Sequence, residues 1–463
     1  MSKARTAMSA NQTAIDVVAH NISNAATPGY SRQRADMVAA TPLITPNGVI
    51  GRGVEIYNVA RLRDSMLDVT YRAETSGSAF HQRQGMLLGQ VESLHGDLGS
   101  PGLGSALGQF WSSWSDLAND PGSVSARTLV RASADEVIAQ FNRITNGLDQ
   151  IAAGADQRLR ADIAQINQLS AHAAALNKRI VQSEAGGITA GDLRDARDLA
   201  IDQIAQLAQV QVVERSNGSV GVSINGTNVV DGDFATALVL DTTGGVYGLR
   251  TGNGTTVRSP GGALGATINV INTELPQARA ELDALARELA IAVNTVHGTG
   301  MNAAGQTNVL FFDDFGGNPA TITARNLALS AAVAADTNAI AAGTPATDPI
   351  TGNPVYGAGR NDVANLMAQL RDTPNGALGN LSIGGAYAGS VSRVGGKVRA
   401  AVDNQAVHTT LAGSADTARS SVSGVNIDEE MVNLIRFQNA YQAAARLVST
   451  ADEMMQTILD MKR

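Results

Sequence analysis

Apolar positions recur by sevens at both ends of the chain. Near the start, Met8, Ile15 and Ile22 share one register, and Asn11, Val18 and Ala25 lie three residues later. This is a thin a/d seam, and it predicts a helix over residues 4–26. Pro28 removes a donor and disfavours helix at Thr27, so the helix must stop there. Thr27-Pro28-Gly29-Tyr30 reads as a type II turn, with glycine at the position that needs a positive φ. At the far end, Ile427, Leu434, Tyr441, Val448 and Met455 are spaced by seven. Phe437, Ala444, Ala451 and Ile458 follow three residues after the last four of these. That helix opens with Asn426 or Asp428 as a cap and acids in its first turn, and closes on Lys462 and Arg463, as the helix dipole favours.

Between the ends the helical period returns. Residues 61–96 carry it loosely, and residues 124–183 form the longest candidate. There Val137, Phe141, Ile144, Leu148 and Ile151 keep one seam, which resumes one residue out of phase at Leu159. Residues 192–208 and 264–297 are further helices, and Pro276 is expected to kink the second or reset its start. Residues 209–258 alternate instead. Asn217-Gly218, Asn225-Gly226, Asp231-Gly232 and Asn253-Gly254 punctuate β-branched runs, which predicts a meander of short antiparallel strands. Residues 301–357, rich in Gly, Pro, Ala and Asn, read as a loose β/loop insertion.

The expected fold is therefore α+β, with long antiparallel helices from both termini and a β-rich middle insertion. Residues 1–35 and 425–463 would form a terminal coiled-coil-like inner domain. Residues 36–208, 261–300 and 358–424 would form a helical intermediate domain, and residues 209–260 and 301–357 a β-rich outer one.

Composition narrows the function more than the fold. A formal charge of −8, with no run of Lys or Arg, argues against a nucleic-acid surface. The chain has no cysteine, which excludes disulfides and thiolate metal sites. No apolar run reaches the length of a membrane span, and the first 20 residues lack the apolar region of a cleavable secretory signal. If the protein leaves the cell, another route takes it out.

Candidate chemistry is sparse. No histidine has a partner at metal-ligand spacing, and no nucleophile elbow, phosphate loop or dinucleotide fingerprint appears. Asp313 and Asp314 in "FFDDFGGN" lack the alternating oxygens of a calcium loop and read as a solvated turn. Asp195, Asp198 and Asp202, with Arg194 and Arg197 between them, could serve acid–base work but read as a charged solvent face. Trp111 and Trp114, three apart on a helix, read as core anchors. No catalytic, cofactor or metal site is assigned.

"NISNAATPGYSRQ" (residues 21–33) resembles the signature of the bacterial flagellar axial proteins, the rod, hook and hook-associated proteins. "SGVNIDEEMVNLIRFQNAYQAAARLVSTADEMMQTIL" (residues 423–459) looks like the C-terminal helix of the same family. "GYSRQ" and "GVNIDEEM" are closer to its hook-associated junction members than to hook or distal rod proteins, which remain the alternative. A flagellum-exported enzyme is the less favoured reading. Family members usually have several more residues before Met8, so the first helix is expected to be short.

The resemblance implies a structural junction protein, not an enzyme, that self-assembles into a ring and joins hook to filament. Its terminal helices would line an inner tube. The interface residues would be Met8, Ile15, Val18 and Ile22, with Ile427, Leu434, Phe437, Tyr441, Ala444, Val448, Ala451, Met455 and Ile458. Asn21, Asn24, Thr27, Pro28, Gly29, Tyr30 and Gln33 would form the turn that ends the tube wall. Implied partners are other copies of the chain, the hook protein, the next hook-associated protein and an export chaperone on the C-terminal helix. Neither nucleic acid nor membrane insertion is implied. Export through the flagellar type III apparatus to the cell exterior would need no cleavable signal.

Overall fold

The computed structural model describes residues 2–45, 48–96 and 102–461. Of the described residues, 63% are helical when short 3-10 and π turns are included. Its long helices are α1 (Ser2–Asn24), α2 (Ser65–Leu94), α3 (Leu103–Asn119), α4 (Val124–Glu184), α5 (Gly191–Leu207), α7 (Leu275–His297), α10 (Ile383–Ser423) and α11 (Ile427–Asp460). The short ones are α6 (Gly262–Asn269), α8 (Ala331–Ala335) and α9 (Asp362–Gln369). Two compact units result, one of residues 1–80, 160–265 and 404–463, the other of residues 81–159 and 266–403. Residues 209–260 fall in the first unit and residues 301–357 in the second.

In the first unit the alternating stretch folds as expected. Strands β5 (Val210–Glu214), β6 (Val220–Ile224), β7 (Thr227–Asp231) and β8 (Phe234–Ala235) pair antiparallel in sequence order. Strands β9 (Leu238–Asp241), β10 (Gly248–Thr251) and β11 (Thr256–Val257) form a second antiparallel sheet. Asn225 and Gly226 both take positive φ, 44° and 80°, as a tight hairpin between right-twisted strands requires. Two asparagines of α4 dock these sheets. Asn167 donates to Leu238 O (2.9 Å) and accepts from Leu238 N (2.7 Å). Asn177 donates to Val220 O and Gly232 O and accepts from Val220 N. Each amide thus supplies the partners that a further strand would have provided.

Sequence periodicity missed four strands of this unit. β1 (Gln33–Ala39) pairs with β4 (Val54–Arg61), and β2 (Leu43–Thr45) pairs with β3 (Gly48–Ile50), across the end of the expected terminal domain at residue 35 and the start of the expected helical one. The signal was present in the alternation of "VEIYNVAR" and in Gly48, whose φ is +128°.

The second unit is built on aromatic packing. α3 buries Phe110, Trp111 and Trp114. Trp114 lies 5.5 Å, ring centre to ring centre, from Phe311, and Phe110 lies 6.2 Å from Phe312. "FFDDFGGN" is therefore no loose insertion, because Phe311 and Phe312 are fully buried, as are Ile322, Leu327 and Ile340 of the same stretch. Only its tip is a turn, where Asp313 accepts from Phe315 N. The irregular backbone is held by side chains: Asn294 of α7 accepts from Phe311 N and Phe312 N and donates to Phe312 O. His297 engages Val309 O through Nδ1 (2.6 Å) and accepts from Ala341 N at Nε2 (3.0 Å). Burial holds the His297 imidazole neutral, with its pKa lowered to about 4.

Two irregularities foreseen in the helices have physical causes. A π-turn at Val270–Glu274 joins α6 to α7, with Pro276 in the first turn of α7, where its missing N–H costs little. On α4 the buried seam keeps three- and four-residue steps through Val137, Phe141, Ile144, Leu148 and Ile151, then steps by four through Ala155 and Leu159. A straight helix has 3.6 residues per turn, so a seam 61 residues long must slip somewhere.

Candidate assembly interface at the terminal helices

α1 and α11 pack together, and the end of α1 meets the start of α11, so the pair is antiparallel. The stripe that α1 buries runs Ala10, Asn11, Ala14, Val18 and Asn21. Small side chains allow close approach of the helices. Val18 is buried, whereas Met8, Ile15 and Ile22 flank the stripe half-buried. On α11, Ala444 is buried, and Leu434, Phe437, Tyr441, Val448 and Ala451 are half-buried. Ile427, Met455 and Ile458 are exposed at 53%, 56% and 62%, so they have no intrachain role in the seam. Beyond Ala451 every residue of α11 is exposed, including Met454 and Leu459, and so is Met461 just after it. With Asn21 opposite Glu430, α1 runs out near residue 449 (19 residues on each helix from that pair), and α11 continues alone.

The turn after α1 explains its own composition. Asn24 accepts from Thr27 Oγ1 and donates to His20 O, closing the helix before Pro28. Gly29 has φ +79°, and Tyr30 N donates to Thr27 O, as a type II turn requires. Asn21, 1% exposed, then uses its full hydrogen-bonding capacity. Its Nδ2 donates to Gln33 O (2.8 Å) and Glu430 Oε2 (2.9 Å), and its Oδ1 accepts from Tyr30 Oη (2.7 Å) and Gln33 N (3.0 Å). One amide thereby fixes the chain after the turn to α1 and both to α11. Burial, with the charges of Asp192, Asp195 and Glu430 adding to it, pushes the Tyr30 hydroxyl well above its usual pKa and keeps it a donor.

The rest of the motif reaches α5 and α11. Ser31 donates to Asp195 from both N and Oγ, each at 2.8 Å. Gln33 Nε2 donates to Asp192 at 2.8 Å, and His20 Nε2 lies 3.1 Å from the same oxygen. Arg32 reaches Glu429 at 3.0 Å and the buried Glu430 at 2.6 Å. The Asn426 side chain caps α11, accepting from Asp428 N and Glu429 N. Lys462 and Arg463, expected at the helix end, lie outside the described residues.

The charged face expected on α5 is not solvated. Asp195, Arg197, Asp198 and Asp202 are all at least nine-tenths buried. Arg61 bridges Asp195 (2.6 Å) and Asp198 (3.0 Å), and Arg63 grips Asp68 with two nitrogens, at 2.6 and 3.0 Å. Arg72 and Arg419 share Asp202, and Arg419 also lies 4.1 Å from the Tyr71 ring centre. Burial alone would raise the pKa of Asp198. Arg197, Arg63 and Arg61 outweigh it and hold the group at about 2. The i, i+3 and i+4 spacing was visible in the sequence, but it suits a solvent face and a buried lattice equally. Arginines from three other segments decide between them. Ser31, Arg32, Asp192 and Glu430 escaped sequence reasoning for the same reason.

These contacts bind the N-terminal turn and the C-terminal helix into one device, the arrangement of a flagellar axial protein. Family comparisons agree: a flagella basal body rod protein model matches residues 1–30, and the flagellar basal body rod FlgEFG protein C-terminal model matches residues 418–461. The model of the flagellar hook-associated protein FlgK helical domain matches residues 88–312. Flagellar hook-associated protein 1 of Bacillus subtilis is 30% identical, over 99% of this chain and 97% of its own length. The Escherichia coli protein of that name is 24% identical, over 100% and 99%. The chain belongs to the flagellar hook-associated protein 1 family. The solved structure of the flagellar hook junction protein FlgK from Burkholderia pseudomallei shares the fold, with a TM-score of 0.64 over 78% of this chain and all of that one, at 18% identity.

Proposed function

We propose that this protein is the structural junction between flagellar hook and filament, outside the cell, and that it acts by assembly and not by catalysis. The observation that carries this reading is the Asn21–Glu430 lock. It aligns two helices from opposite ends of the chain and leaves the last third of α11 with an uncovered apolar row. That row, together with the half-buried flanks of the pair, is where neighbouring copies would bury Met8, Ile15, Ile22, Met455 and Ile458. Hook protein would contact one end of the resulting ring and the next hook-associated protein the other. A chaperone that covers the exposed row of α11 before export fits the same surface. Type III export of the unfolded chain suits a sequence without cysteine.

The test is deletion of the gene in its own bacterium, followed by electron microscopy. Hooks without filaments, with unassembled filament protein in the medium, are expected. Truncated rods would support the hook or distal rod alternative, and normal filaments would end the junction reading.

A further inference from the structure

α11 exposes two apolar stripes. In its first half Ile427, Met431 and Ile435 are exposed and share one face, each four residues from the next. In its second half Leu447, Met454 and Ile458 are exposed and share another, seven and four residues apart. At about 100° per residue the two faces lie roughly 140° apart around the helix. They fall on either side of the line through Glu430 and Ala444, the two buried positions of α11.

Each stripe turns polar where the other begins. The face that is apolar in the first half carries Ser449, Glu453 and Asp460 in the second. The face that is apolar in the second half carries Glu429 and Arg436 in the first. Two parallel copies set flank to flank in register would therefore bury Met431 and Ile435 against charged side chains, which is costly. A shift of about 35 Å along the helix, 23 residues at about 1.5 Å each, removes the conflict. It brings Met431 level with Met454 of the neighbour, and Ile435 level with its Ile458. Both stripes also border the seam with α1: Leu434 and Ala451, half-buried there, adjoin the first and the second stripe. A helix seated on either stripe would extend the seam that already joins α1 to α11.

We propose that the first stripe of one copy docks on the second stripe of another, with the two α11 helices parallel and offset by about 35 Å. This rests on the assembly reading above and names the surface that the exposed row of α11 meets. The contact joins two different patches, so every pair leaves one stripe of each kind free and the series propagates in one direction.

The absence of cysteine makes the test specific, since a disulfide can form only between placed residues. Ile435→Cys and Ile458→Cys in one chain cannot bridge each other across about 35 Å of helix. Expressed in the deletion strain, with isolated hooks and filaments mildly oxidised, this double variant is expected to give a ladder of cross-linked chains on a non-reducing gel. Either single variant should stay monomeric. Ile435→Asp is the second arm, expected to leave bare hooks while the purified chain keeps its melting transition. The proposal is overturned if the double variant stays monomeric on hooks that carry filaments, if Ile435→Cys alone gives dimers, or if Ile435→Asp supports full-length filaments. Failure of the unaltered gene to restore filaments in that strain would instead overturn the junction reading.

Discussion

Asn21 and Glu430 are 409 residues apart in sequence and 2.9 Å apart in space, and their hydrogen bond is buried. Arg32 reaches one oxygen of Glu430 at 2.6 Å, and Asn21 is the neutral donor that faces the other. Removing the amide strands several groups at once. Asn21→Ala should cost roughly 2–4 kcal/mol, since Glu430 loses a partner in a buried setting and Gln33 N and O and Tyr30 Oη lose theirs in a partly buried one. Chemical unfolding followed by far-UV circular dichroism measures it. A loss under about 0.5 kcal/mol would mean that water replaces the amide freely.

Asn21→Asp is nearly isosteric yet should be worse at neutral pH. It sets a second carboxylate against Glu430 and turns a donor toward Gln33 O into an acceptor. Repulsion raises the new group's folded pKa above its unfolded value. The protonated state therefore favours the fold, and stability should recover as pH falls from 7 toward 5. A stability profile parallel to that of the parent chain over this range would refute the contact.

Gly29→Val should be damaging at the turn alone. The position has φ +79°, and a new Cβ would sit 3.3 Å from Leu199 Cβ. A β-branched residue there costs at least about 1–2 kcal/mol. Both tryptophans lie in α3 of the second unit, so their fluorescence should report an unchanged transition there while far-UV signal is lost earlier. Coincident early loss by both probes would show that the turn supports the whole chain.

The two units should respond to acid in different windows. His297 has a folded pKa of about 4, below its ordinary value near 6.5, so the unfolded state binds the extra proton between those limits. Its contribution is complete above about pH 6.5 and is lost as pH falls toward 4, a change of up to about 3 kcal/mol. Asp198, held at about 2, contributes above its unfolded value and is lost only as pH falls from about 4 to 2. Urea midpoints read by tryptophan fluorescence should decline from pH 6.5 to 4. A flat profile would mean that His297 is not held neutral.

The hairpin tip at Asn253-Gly254 should accept a short insertion. Gly254 has φ +91° with open space around it, and the turn closes on itself through Thr251 and Thr255. Swimming in soft agar should be near normal for the insertion strain. Non-motile cells with bare hooks would place this loop in an assembly contact.

Long helices were legible because burial on one stripe leaves a period in the sequence. The limits of α4, read as 124–183 and found at Val124–Glu184, illustrate this. The meander was legible because hairpins need glycine at positive φ. The charge lattice on α5 was not, since a carboxylate spaced for one helix face does not reveal whether water or an arginine from a distant segment answers it. Phe311 and Phe312 were misplaced because side-chain hydrogen bonds from Asn294, not a repeating pattern, fold that stretch. At the termini the turn motif was visible residue by residue. The partner of its central amide was hidden among acids for which the helix dipole is reason enough.

The central claim is that the uncovered row on α11 joins copies of the chain and contributes nothing to the monomer. Met455→Asp with Ile458→Asp, introduced into the deletion strain, tests it most directly, with filaments counted by electron microscopy and the purified chain melted in parallel. The account predicts an exported protein with an unchanged melting transition and hooks that carry no filaments. Full-length filaments on those hooks would contradict it.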